Sequence, residues 1–161
     1  MQIQKIDLEY EVYENSDELK FADRELLDHA REATGLAYAP YSKFKVGAAA
    51  RLVTGELVVG SNQENASFPV GICAERVLLS SLSSIYPGTA IHTMAISYTT
   101  DGQECNHPIA PCGICRQSLS EFEIRMRKPI RLILGGKQGK IFIIQGSGLL
   151  LPFAFTSDEL K

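Results

Sequence analysis

The stretch Cys73-Ala74-Glu75-Arg76-Val77-Leu78-Leu79-Ser80-Ser81-Leu82-Ser83-Ser84 reads as a helix, with Val77, Leu78, Ser81 and Leu82 recurring at helical spacing. It ends near Pro87-Gly88, where a helix cannot continue. On its C-terminal side Ile91 to Tyr98 reads as a strand. On its N-terminal side Lys45 to Leu52 and Glu56 to Gly60 read as two strands joined by a tight turn at Thr54-Gly55. The small residues Gly47, Ala48, Ala49 and Ala50 mark the first of these as a strand on which another element packs closely.

Further out, Asp101 to Pro111 reads as a loop and Cys112 to Arg127 as a second helix, broken by Pro129. Ile130 to Leu134 and Ile141 to Gln145 are β-rich runs separated by Gly135-Gly136 and Gly139. Near the start, Ser16-Asp17 offers capping oxygens to a helix carrying Leu19, Ala22, Leu26, Leu27 and Ala30, with Gly35 as its stop. Before it Ile6, Leu8, Tyr10 and Val12 alternate, as in a strand or an ordered arm. This order predicts an α/β fold of three layers, α/β/α, with a mixed sheet of roughly five strands covered by helices on both faces. The expected organisation is an N-terminal arm, residues 1–15, and one domain over residues 16–161.

With 161 residues the chain is long enough to bury a core, and its 45% apolar and 22% charged residues are ordinary for a soluble globular protein. The net charge of −3 argues against a sequence-independent grip on nucleic acid, which takes a basic stripe. Met1-Gln2-Ile3-Gln4-Lys5 lacks the apolar core of a secretory signal, and no apolar run is long enough to span a bilayer. A cytoplasmic location is therefore expected, where four cysteines serve as metal ligands or buried thiols rather than as disulfides.

Two motifs carry chemistry. Pro111-Cys112-Gly113-Ile114-Cys115 sets two cysteines one turn apart at a helix start, where the helix dipole favours their thiolates and both can reach one metal ion. Alone it also fits a redox pair, or half of a closed zinc site completed by Cys105 and His107. Cys73-Ala74-Glu75 opens the other helix and tips the reading. Three thiolates leave the fourth tetrahedral position of zinc open to water, as catalytic sites require. Glu75 is placed to reach that water without binding the metal. A His or Cys ligand, one residue, Glu, and later Pro-Cys-x-x-Cys is the zinc nucleobase-deaminase signature. Arg76 and Arg116, which follow the two motifs, are candidates to offset the charge of three thiolates on one Zn²⁺.

From Leu36 to Phe155 the sequence resembles the small, homotetrameric cytidine deaminases. The resemblance rests on Ala37–Ala49 (AYAPYSKFKVGAA), Asn62–Ala66, Gly71–Arg76, Pro111–Gln117 and Leu150-Leu151-Pro152, in the family's order. It implies that Cys73, Cys112 and Cys115 bind one zinc ion and that Glu75 shuttles protons. Asn62 and Glu64 match the pair that holds the ribose 3′-hydroxyl, and Phe44 matches an aromatic lining the pyrimidine site. The backbone of Ala74 and Pro111 would read the base edge. Phe155 matches the aromatic that closes over the base from a neighbouring subunit. Phe68 stands where the family commonly has a tyrosine that reaches the ribose 5′ end, and it lacks the hydroxyl that makes that contact.

The implied reaction is deamination of cytidine and deoxycytidine to uridine and deoxyuridine, by zinc-activated hydroxide with Glu75 acting first as base and then as acid. Rival readings are a deaminase of another aminopyrimidine nucleoside, a zinc-stabilised interaction module, and an editing deaminase on RNA or DNA. Cys105, His92 and His107 have no assigned role at this level.

Overall fold

The structure is a computed structural model that describes residues 1–160. Six strands, β1 (Glu11–Tyr13), β2 (Phe44–Leu52), β3 (Leu57–Ser61), β4 (Ile91–Thr100), β5 (Arg131–Gly135) and β6 (Ile141–Ile144), form one sheet in the order β1-β6-β5-β4-β2-β3. Only β4 and β5 run parallel; every other neighbouring pair is antiparallel. The helices are α1 (Phe21–Ala33), α2 (Ala74–Ile85) and α3 (Gly113–Met126).

The sheet has six strands where the periodicity predicts roughly five. The sixth is β1, contributed by the arm, whose Glu11, Val12 and Tyr13 pair with Ile143, Phe142 and Ile141. Three residues are too short a run for alternation alone to distinguish a strand from extended coil. The start of α1 also differs. Ser16–Glu18 forms a separate short turn capped by Asn15, whose Oδ1 accepts from the Asp17 amide at 2.8 Å. Leu19 is then extended and buried, so α1 begins only at Phe21, after Lys20.

Strand alternation sorts the core into two layers. Ala49, Ala95, Ile133 and Ile143 face α1 and pack with Leu26, Leu27 and Ala30. Their neighbours Ala48, Ala50, Met94, Ile96, Leu132, Leu134 and Ile144 face the other way, against Leu78 and Leu82 of α2 and Leu119 and Phe122 of α3. Two glycines set the depth of this packing. A Cβ on Gly47 would lie 2.1 Å from the Ala30 carbonyl oxygen in α1, and one on Gly60 would lie 2.5 Å from that of Ala74 in α2. Both helices therefore rest directly on the backbone of the β2–β3 hairpin, which turns through Gly55 at φ 102°.

Polar ties hold the outer pieces. Asp23 of α1 receives both terminal nitrogens of Arg131 on β5, at 2.7 and 2.8 Å. Glu123 of α3 accepts from the amides of Ile130, Ser147 and Gly148, fixing the turn Ser147–Leu150 against that helix.

Candidate active site

The two helices of the second layer start side by side. Cys73 is the N-cap residue of α2 and Cys112 that of α3, both in extended conformation. Cys115, three residues on, is buried in the first turn of α3. The Sγ atoms of Cys73 and Cys112 are 3.7 Å apart, and all three Sγ atoms lie within 4.8 Å of one another. A tetrahedral zinc site with Zn–S bonds near 2.3 Å has S···S edges of roughly 3.8 Å. The donor set, three soft thiolates on two helix N-termini, therefore fits zinc and leaves one position of the tetrahedron to a small oxygen ligand.

Cys105 and His107 do not join this cluster. The Cys105 thiol points to the Gln103 carbonyl, and His107 meets Tyr98. The closed four-ligand alternative is thereby set aside. The CxxC segment follows the loop before α3 rather than a strand, so the redox-pair geometry is also missing.

The charges of the cluster are coupled. A hydrogen bond from the Cys115 thiol, helped by Cys112 and the positive field of Arg76, brings the Cys73 thiol down to about 6. Cys115 is pushed far up, chiefly by donating that bond. Glu75, in the first turn of α2, is buried with 4% of its surface exposed. Burial foremost, then the Cys73 charge, raises its carboxyl above the ordinary range, against a hydrogen bond with the Cys115 thiol.

Cys73, Glu75 and Cys112 open into a cavity of about 710 Å³. Phe44, Asn62 and Glu64 line the same cavity. Asn62 braces the start of β2: its Oδ1 accepts from the Val46 amide at 2.7 Å and its Nδ2 donates to the Phe44 carbonyl at 2.9 Å. Glu64 gathers the loop before β2, accepting from the Ser42 hydroxyl and from the amides of Tyr41 and Ser42. The Ser42 hydroxyl in particular holds the Glu64 carboxyl below its usual range, so it is an anion at neutral pH.

Ala74, Pro111, Phe155, Arg76 and Arg116 lie outside this lining. Arg116 spans two carbonyls, Pro111 at 2.9 Å and Leu150 at 3.2 Å, so its guanidinium fixes the residue before Cys112 rather than meeting the sulfurs. The Phe155 carbonyl accepts from Gln117 Nε2 at 2.8 Å, while the residue as a whole is 59% exposed. Tyr41, Ser42, Ile109 and Ala110 are lining residues that motif reading does not single out. Tyr41 also meets Phe68 edge-on, with centroids 5.9 Å apart. Tyr41 and Ser42 stand in the quoted Ala37–Ala49 block, which is their only signal in the sequence, since their contact with Glu64 spans more than 20 residues; Ile109 and Ala110 carry none.

The family model described as the cytidine and deoxycytidylate deaminase zinc-binding region matches residues 21–128. A cytidine deaminase of Halalkalibacterium halodurans is 37% identical over 140 residues, 86% of this chain and 98% of that protein. One of Mycobacterium tuberculosis is 35% identical over 138 residues, 84% of this chain and 90% of its own. Among solved structures, the cytidine deaminase of Burkholderia pseudomallei superposes with a TM-score of 0.70 at 37% identity, covering 85% of this chain and all of that one. The chain belongs to the cytidine and deoxycytidylate deaminase family, the class of zinc-dependent hydrolases whose fold and three-cysteine cluster it carries.

Proposed function

We propose that this enzyme hydrolyses free cytidine and deoxycytidine to uridine and deoxyuridine, releasing ammonia. One observation carries the reading: a buried carboxyl, Glu75, beside three clustered thiols in a cavity of nucleoside size.

Cys73, Cys112 and Cys115 would hold zinc, which supplies a hydroxide nucleophile near neutral pH by lowering the pKa of water from about 15.7 towards 7. Glu75 takes the proton of the attacking water and delivers it to ring N3, which makes C4 electrophilic. The water oxygen bonds to C4, and Glu75 then carries the second proton from that oxygen to the exocyclic amine, which departs as ammonia as the C4–N bond breaks. A carboxyl raised by burial suits both roles, because it is basic enough to accept and still acidic enough to return the proton.

In this reading Phe44 lines the pyrimidine site and the backbone of Ala74 and Pro111 meets the base edge. Asn62 and Glu64 hold the ribose, and Phe155 closes over the base of a neighbouring subunit in a homotetramer. Arg76 offsets the thiolate charge, whereas Arg116 braces the residue before Cys112 through the Pro111 carbonyl. The catalytic domain is residues 16–161 with residues 1–15 as an arm. No helix among the described residues is long and apolar enough to cross a membrane. A cytoplasmic setting keeps the four cysteines, all unpaired, reduced.

The cavity favours nucleosides over nucleotides. Among the described residues no Lys, Arg or His lines it, and Glu64 adds a negative charge. A phosphate there would meet the Glu64 charge without a cationic partner from the described lining. Steady-state kinetics on cytidine, deoxycytidine and their 5′-monophosphates test this. The expected result is kcat/KM at least about tenfold lower for the monophosphates, one charge contact's worth; equal values would refute nucleoside selectivity.

A further inference from the structure

Three side chains outside the reacting centre link separate parts of the cavity wall. Phe44 on β2 stacks on Tyr98 of β4, with centroids 5.2 Å apart and planes 22° from parallel. Tyr98 is buried at 2% exposure. Its hydroxyl lies 3.1 Å from Nδ1 and 3.3 Å from Nε2 of His107, and the two rings meet edge-on at 5.6 Å. A neutral imidazole offers one N–H and one acceptor nitrogen, so it pairs with a hydroxyl in either tautomer. Burial raises Tyr98 above its ordinary value of 10, so the hydroxyl keeps its proton at neutral pH.

His107 opens the segment that brings Ile109 and Ala110 into the cavity lining and then runs on to Cys112. The chain just before it is pinned from behind. A Cβ on Gly136 would lie 2.2 Å from the Cys105 oxygen, and one on Gly139 would lie 2.1 Å from the Asn106 oxygen. The Gln138 amide also donates to the Cys105 carbonyl at 3.2 Å. The turn between β5 and β6 thus fixes residues 105 and 106, and Tyr98 fixes residue 107. Beyond that point Ile109 and Ala110 line the cavity, and Arg116 holds the Pro111 carbonyl at the far end.

We propose that Tyr98 and His107 are positioning residues for substrate. Their hydrogen bond locks the plane of Phe44 to the path of Ile109 and Ala110, and so sets the fit of the pyrimidine ring. This rests on the deaminase reading above, in which Phe44 lines the pyrimidine site. The pair stands apart from the three sulfurs, so its loss leaves metal loading intact while it loosens substrate binding.

The test is cytidine kinetics on the zinc-loaded protein and on Tyr98→Phe, His107→Ala, His107→Gln and the double variant Tyr98→Phe/His107→Ala. Zinc content and melting temperature are measured on each. The expected result is KM raised about fivefold in Tyr98→Phe and His107→Ala, the size one neutral hydrogen bond allows, with kcat within about twofold. His107→Gln, which keeps a donor and an acceptor, recovers most of the loss. The double variant is no worse than the weaker single one, because one shared bond cannot be lost twice. An unchanged KM in a folded, zinc-replete Tyr98→Phe, or single losses that add in full, would overturn the proposal. An unaltered protein inert on cytidine would overturn the deaminase reading and this inference together, whereas an active one with unaffected variants overturns the inference alone.

Discussion

The Sγ atoms of Cys73 and Cys112 stand 3.7 Å apart although each caps a different helix. The metal cluster therefore depends on how α2 and α3 lie on the sheet as much as on the cysteines themselves. Cys112→Ala is expected to reduce bound zinc from about one per chain to near zero and to lower the melting temperature, since metal binding stabilises the folded form. Cys105→Ser, which changes a thiol outside the cluster, is expected to keep full zinc. Elemental analysis of both variants checks this, and zinc loss in Cys105→Ser would contradict the three-ligand assignment.

Gly60 tests the same dependence from beneath. A Cβ there meets the Ala74 oxygen at 2.5 Å and the Leu78 nitrogen at 2.6 Å, both backbone atoms of α2 that cannot swing aside. Gly60→Ala is expected to cost about 1–3 kcal/mol, the usual range for overpacking. Because the displaced turn begins at Cys73, zinc affinity is expected to fall as well. Denaturant titration and a competing chelator read the two effects. A stable variant with unaltered zinc affinity would show that α2 has slack.

In the metal-free protein Cys73 is expected to be the reactive thiol. Held at about 6, it is mostly thiolate at neutral pH, and the thiolate is the nucleophile. Its alkylation by iodoacetamide is expected to be nearly constant from pH 8 to 7 and to fall roughly tenfold per unit below pH 6. Added zinc is expected to protect it. Peptide mapping that found Cys105 modified first would contradict this ordering, since Cys105 is buried.

Glu75 has a stability signature opposite to that of a paired carboxylate. Its folded-state value is raised from the ordinary 4.5, so the folded protein binds the proton more tightly than the unfolded chain. That contribution is complete below 4.5 and is lost as pH rises through the folded value. At neutral pH the metal-free Glu75→Gln variant is therefore expected to melt higher than the metal-free parent, with the gap closing towards pH 4. A gap that widened on acidification would mean that the carboxylate is stabilised rather than strained.

The elements of this fold are plain in the sequence where packing is one-sided. Leu78 and Leu82 mark α2, and Gly47 to Ala50 mark the strand on which α1 rests, because burial imposes the helical and strand periods directly. The edge strand β1 is less visible, since Val12 is half exposed and three residues hold little pattern. At the site, the cysteines and Glu75 are legible because metal ligation demands particular atoms at particular spacings. Ile109, Ala110, Tyr98 and His107 are not, because their contribution is shape and contact across more than 50 residues of chain, from Phe44 to Tyr98. The bracing role of Arg116 on the Pro111 carbonyl is likewise a matter of tertiary geometry that no spacing rule announces.

The most direct measurement follows the ultraviolet absorbance of cytidine mixed with zinc-loaded protein, beside a zinc-loaded Glu75→Ala variant. The expected result is rapid loss of the cytidine band with the parent protein and a rate lower by about 10²–10⁴-fold with the variant, the span general acid–base catalysis covers. Cytidine left intact by the zinc-replete parent, or consumed equally fast by the variant, would contradict the assignment of deamination to Glu75 and the three-cysteine centre.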